Sequence, residues 1–419
     1  MRRRDSNSTP AIPPASRAGR ARLVDDLRGG VRLAVEGVVG VTRIVEGVHR
    51  GVVTLSPPLG AADGRPTRGI TGFVYRTVRG TTGLVGRGLD AALAGAQVLL
   101  KPDPAGAGDG PEPAQRDALV SALNGVLGDH LERSRNPLAI PMQLRRQGRP
   151  GPRGLLLVHG LCMNEDQWTR DGHDHGQALA ADLGYSPVYL RYNSGRHISS
   201  NGAELAALLE TSLRDGTLPF ESLAIVGHSM GGLVARSAVH QALQAGMAWP
   251  HRLRQLVFLG SPHHGAALER GGNWVHAGLG VSPYLAPFTR LSGLRSEGIT
   301  DLRHGNLLEA DWAGGRFALR DTRQVVPLPA GVACYAVAGT LGQAHEGGGL
   351  GDGLVTVASA LGRHARPTHR LGIAPSHTWV ARGVHHLDLL GSPAVYRTLL
   401  RWLAGEGAFS RSLPPAQPA

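Results

Sequence analysis

Ser229 lies between Gly227 and Gly231 in the stretch LAIVGHSMGGLVARSA, residues 223–238, where a strand-like apolar run gives way to a helix-like one. A sharp strand-to-helix turn strains its central residue, and glycines on either side let the two segments pass. Such a turn lifts a hydroxyl clear of a sheet, and the free N–H groups of the following helix favour negative charge beside it. These residue types point to a nucleophilic serine. A serine hydroxyl is a weak nucleophile at neutral pH until a base takes its proton, and a buried acid must hold that base in the right tautomer. Downstream, HHLDLL supplies His385 and His386 just before the last helix-like run, and GDGLV supplies Asp352 after the strand-like GVACYAVAG. The order serine, aspartate, histidine is the one that a G-x-S-x-G turn calls for.

Distant residues of this kind need a scaffold that brings them to one edge. GLLLVHG, SPVYLRY, LAIVG, LRQLVFLGSP and GVACYAVAG are short apolar runs, several too continuous to leave a solvated face. Between them, NGAELAALLETSLRDG and GGLVARSAVHQALQAG read as helices. Buried strands alternating with helices imply an α/β protein with a mostly parallel central sheet and helices on both faces. Ser229 then sits at the carboxyl end of a central strand, where such sheets hold their sites.

Composition narrows the classes further. The net charge of +12 comes almost entirely from scattered arginine, with Lys101 the single lysine. Without a helix-turn-helix, a finger or an aromatic-basic platform, nucleic acid is not expected as a partner. Cys162 and Cys334, both in or beside apolar runs, do not make a disulfide framework. The basic N-terminus lacks the apolar core of a signal peptide, and no apolar run has the length of a membrane span, so the expected compartment is the cytoplasm.

Along the chain, residues 1–22 read as a disordered basic tail, 23–100 as an amphipathic glycine-rich helical region, 101–116 as a linker, 117–408 as the catalytic domain and 409–419 as a flexible tail. In the second of these, Val31, Val35, Val38, Val45, Val48 and Val52 oppose Arg32, Glu36, Arg43, Glu46 and Arg50. A looser copy of the pattern follows from residue 69, with Val74, Val78, Val85 and Leu89 on the apolar face. Two readings stand: a helical hairpin packed on the catalytic domain, or a surface that lies peripherally on a membrane or a lipid granule.

From about Leu119 to Leu403 the sequence resembles the α/β-hydrolase fold, and within it bacterial lipases and inositol-deacylase-like hydrolases; LLLVHGL, GHSMGGLVAR, GDGLV and HHLDLL carry the likeness. The resemblance implies Asp352 as the acid and His386, not His385, as the base. For the oxyanion of acyl transfer, the residue after the nucleophile, Met230, offers one backbone N–H. The resemblance implies Leu161, after the H-G of the first strand, for the other. It also implies that the insertion 268–329 is lid-like and lines an acyl pocket through Trp274, Tyr284, Leu285 and Phe288; an ordinary helical excursion is the other reading.

The expected activity is that of a serine ester hydrolase, lipase- or carboxylesterase-like, acting on a small-molecule ester or lipid without cofactor or metal. A thioesterase or acyltransferase on the same three residues is the alternative, and a lipid- or granule-surface protein with the hydrolase fold as scaffold is another. His173, Asp174 and His175 are ligand types but fit the capping of a helix better than a metal site. His263 and His264 are expected to shape the wall of the site by hydrogen bonding. Asp388 matches an aspartate that helps bind calcium in some lipases, but LLGSPAVY lacks further oxygen ligands. Asp301, Asp311 and Asp321 are weaker candidates for the acid.

Overall fold

The computed structural model of the protein describes residues 25–26, 28–33, 114–148, 150–266, 295–315, 317, 320–342 and 351–405. The tails, the linker up to residue 113, most of 23–100 and the aromatic part of the insertion lie outside the described residues. The chain divides into two compact units, one of residues 1–111 and 134–138, the other of 112–133 and 139–419. In the first, residues 25–26 and 28–33 are helical, and Asn136 Nδ2 donates to the Gly29 carbonyl at 3.1 Å. Among the described residues no helix is long and apolar enough to cross a membrane.

The second unit is built on strands β1 (Gln143–Arg146), β2 (Arg153–Val158), β5 (Ser186–Arg191), β6 (Ser222–His228), β7 (Leu253–Leu259), β8 (Ala333–Thr340) and β9 (Thr378–Arg382). They form a seven-stranded sheet in the order β1-β5-β2-β6-β7-β8-β9, antiparallel only at β1. Two-residue strands β3 (Thr169–Arg170) and β4 (His173–Asp174) make a separate hairpin. The helices are α1 (Ala114–Arg133), α2 (His175–Leu183), α3 (Ile198–Arg214), α4 (Met230–Gln244), α5 (Glu297–Asp301), α6 (Val357–Ala360) and α7 (Pro393–Ala404).

The five apolar runs of the sequence are all strands of this sheet, and their continuity has a packing reason. Leu156, Val158, Val188, Ile225 and Phe258 face a core that includes Leu205 and Leu209 of α3 and Val234 of α4. Their neighbours Leu155, Leu157, Tyr189, Val226 and Val257 face a second core that includes Leu179 of α2 and Leu399 of α7. Both faces are covered, so alternation with polar residues is lost, and each buried Leu or Val adds roughly 1.5–3 kcal/mol.

From β2 the chain runs outward to β5, then returns to place β6 on the other side of β2. The sheet therefore changes direction of growth between β2 and β6, and a crevice opens at their carboxyl ends. Their registers end together, Val158 beside Gly227. The turn after β2 and the turn after β6 thus face each other.

Candidate active site

Ser229 occupies that crevice with φ 54° and ψ −126°, a backbone conformation that side chains rarely adopt. Its N–H donates to the Leu259 carbonyl at 2.8 Å, which ties the turn to β7. The glycines around it are demanded by close approach. A Cβ on Gly227 would stand 2.5 Å from Gly232 Cα, and one on Gly231 would collide with the Val158 carbonyl and stand 2.5 Å from that of His159. Helix α4 thus reaches the end of β2 only because position 231 has no side chain. Gly231→Ala is expected to lower stability by about 3 kcal/mol, since both obstacles are backbone atoms that cannot swing aside; urea unfolding of the variant checks it.

His386 and Asp352 come together as a buried pair, 4% and 2% exposed, with His386 Nδ1 and Asp352 Oδ2 2.7 Å apart. The other carboxylate oxygen, Oδ1, accepts from the N–H groups of Leu354 at 3.0 Å and Val355 at 2.9 Å. The backbone joins them again, His386 N–H donating to the Asp352 carbonyl at 3.1 Å. Burial works against the charge on Asp352, but the His386 charge and hydrogen bond and the two N–H donors outweigh it, so the carboxyl lies below its ordinary range. An acid held ionised and bonded to Nδ1 keeps the proton on that nitrogen and leaves Nε2 free to act as a base. Among the described hydrogen bonds none joins Ser229 to His386; such bonds are often long before substrate arrives.

The pair packs against Gly260 at the end of β7, where a Cβ would stand 3.1 Å from Asp352 Oδ2 and 3.2 Å from His386 Cε1. His385, by contrast, is exposed. Sequence reasoning missed His228, the residue before the nucleophile. It is fully buried, and its Nε2 meets the His386 carbonyl at 3.1 Å, so that nitrogen must carry the proton. Burial, then the His386 charge, pushes its pKa down to about 3, so His228 is neutral and positions the base without competing for protons. A buried polar residue at the end of an apolar strand was the available signal.

On the facing turn, a Cβ on Gly160 would lie 3.0 Å from Ser229 Cβ, so this turn packs against the serine, with Leu161 its next residue. Tyr192 Oη donates to the His159 carbonyl at 2.8 Å and fixes the turn, while Cys162 N–H donates to Ser194 Oγ at 3.0 Å. Leu161 N–H donates no hydrogen bond among the described residues, and Met230 opens α4, where N–H groups have no intrahelical partner. Cys162 is no rival nucleophile, since burial pushes its thiol up to about 12.

The loop that carries His386 is held from the β3–β4 hairpin and the first residue of α2. Arg170 donates to Asp388 Oδ1 from Nη2 at 2.6 Å and from Nε at 3.1 Å, and His175 Nε2 meets the Leu389 carbonyl at 2.9 Å. Asp388 thus has an arginine as its counter-charge. Asp174 caps α2 by accepting from Gln177 N–H at 2.9 Å. The weaker acid candidates have other partners: Asp301 accepts from His197 and Ile198, Asp311 from Leu307, Leu308 and Gln324, and Asp321 pairs with Arg323. Trp274, Tyr284, Leu285 and Phe288 lie outside the described residues.

Residues 150–322 match the PGAP1-like alpha/beta domain. The matched segment contains Leu161, Ser229 and Met230 and stops before Asp352 and His386. The matched segment carries β2, β5, β6 and β7, the centre of a mostly parallel seven-stranded sheet that, with β1, β8 and β9 from outside the segment, has the α/β-hydrolase fold. Among solved structures, a lipase of Bacillus licheniformis, BlEst2 in mature form, is similar at 19% identity over 62% of this chain and 98% of its own, with a TM-score of 0.41. A Pyrococcus furiosus esterase, Pf2001, is similar at 12% identity over 63% of this chain and 87% of its own, with a TM-score of 0.37. No match was found among curated proteins.

Proposed function

We propose that the protein is a serine hydrolase of carboxylic esters, lipase- or carboxylesterase-like, working through an acyl-enzyme. The observation that carries the reading is a buried His386–Asp352 pair in a sheet whose crevice also holds a serine at φ 54°. In the proposed cycle, Ser229 Oγ attacks the ester carbonyl while His386 Nε2 takes its proton. The N–H groups of Met230 and Leu161 receive the oxyanion, each worth about 3 kcal/mol of barrier. His386 returns the proton to the departing alcohol, and water, deprotonated by the same nitrogen, releases the acid. Asp352 stays ionised throughout and stabilises the imidazolium.

The proposed substrate is an ester or lipid with a substantial acyl chain, the class that the sequence resemblance implies. Labelling with a fluorophosphonate, followed by turnover of p-nitrophenyl esters of increasing chain length, tests the proposal. The expected result is one adduct, on the peptide that contains Ser229, and a rate that rises with chain length beyond acetate. A folded protein that takes no label and turns over none of the esters overturns it.

A further inference from the structure

Arg236 lies on α4, about two turns beyond Ser229, and is only 5% exposed. Its Nη2 donates to the Val326 carbonyl at 2.7 Å and its Nη1 meets His263 Nδ1 at 3.3 Å, while Nε has no partner. A guanidinium has five N–H donors and accepts nothing. Among the described residues no carboxylate pairs with it. The neighbouring charge that acts on it most is another cation, Arg323, which is paired with Asp321 at 2.9 Å. Burial, then Arg323, pushes Arg236 down to about 10, which leaves it cationic at neutral pH.

His263 extends the same imbalance. Arginine can only donate, so Nδ1 of His263 accepts. Burial, then the Arg236 charge, holds this imidazole far below its usual range, so the ring is neutral with its proton on Nε2. That nitrogen is buried and has no partner. Arg236, His263, His264, Arg323, Leu307 and Val326 are among the residues that line a half-open pocket of about 20 Å³, with the exposed Val325 and the half-buried His369 also on its wall, which leaves room for one water or one monatomic ion. A water would accept hydrogen bonds here and leave the buried charge uncompensated, whereas an anion answers both demands.

We infer that this cavity binds one small inorganic anion, a halide by size and charge, against the guanidinium of Arg236. The ion would tie α4, whose first turn presents Met230 beside Ser229, to the segment 323–326. It is independent of the ester chemistry, so its test reads stability and occupancy. Melting of the full chain is followed as sodium chloride or bromide replaces sodium gluconate at constant ionic strength. The expected result is a saturable rise of roughly 2–4 °C. In a crystal grown with bromide, an anomalous peak is expected at Arg236. The Arg236→Met variant, if it folds, is expected to melt independently of halide; if it does not fold, the bromide peak in the native protein decides. A melting temperature indifferent to halide, bromide peaks at other positions only, a water at Arg236 in bromide, or a halide response undiminished in Arg236→Met would each overturn the inference.

Discussion

Ser229→Ala is expected to reduce turnover of a short p-nitrophenyl ester by at least ~10⁴-fold and to leave the melting temperature within about 2 °C of the native protein. The two halves of this expectation have separate causes. Removing Oγ removes the only atom proposed to bond covalently with substrate, so what survives is the background that the oxyanion donors and binding supply. The fold is spared because the serine's structural bond is made by its backbone, N–H to the Leu259 carbonyl at 2.8 Å, and Oγ makes no hydrogen bond among the described residues. Alanine at φ 54° carries the same strain as serine; glycine does not. Ser229→Gly is therefore expected to be equally inactive yet more stable by about 1 kcal/mol, a gain that only a strained native backbone explains. Calorimetry beside the ester assay reads both variants, and a Ser229→Ala enzyme with native turnover would end the assignment.

What made the scaffold legible in the sequence was burial on both faces. β2, β5, β6, β7 and β8 read as uninterrupted apolar runs because helices cover the sheet above and below. The edge strands gave no such signal. QLRR, the antiparallel β1, is mostly exposed, and TWVAR, β9, is mostly half-buried, so neither has the apolar continuity of the centre. The turn at Ser229 was legible because Gly227 and Gly231 record backbone contacts too close for a side chain. The choice between His385 and His386 was not legible from periodicity. Neighbours in an irregular loop point differently, and only the fold shows that one is bonded to Asp352 while the other is exposed. Supports that join remote segments were hidden for the same reason: nothing in NEDQWTRDGHD announces that Arg170 will meet Asp388, 218 positions later.

The Asp352→Asn variant tests the other half of the site, and its geometry dictates how it should fail. Two N–H donors, from Leu354 and Val355, point at Oδ1. An asparagine there must turn its carbonyl oxygen toward them, which leaves its NH₂ group facing His386 Nδ1. The imidazole can then accept only at Nδ1, its proton moves to Nε2, and the nitrogen meant to deprotonate Ser229 is already protonated. The expected loss is about 10⁴-fold in kcat with little change in KM, and fluorophosphonate labelling should slow in parallel. Stability gives an independent readout, because the folded-state pKa of Asp352 is depressed. Its contribution is fully present above the unfolded value of about 3.9 and is lost as pH falls through the lower folded value. The difference in unfolding free energy between native protein and variant should accordingly be constant near neutrality and shrink below about pH 4. A variant that retains native kcat, or whose stability deficit persists unchanged into acid, would show that the carboxylate is not the charged partner that orients His386.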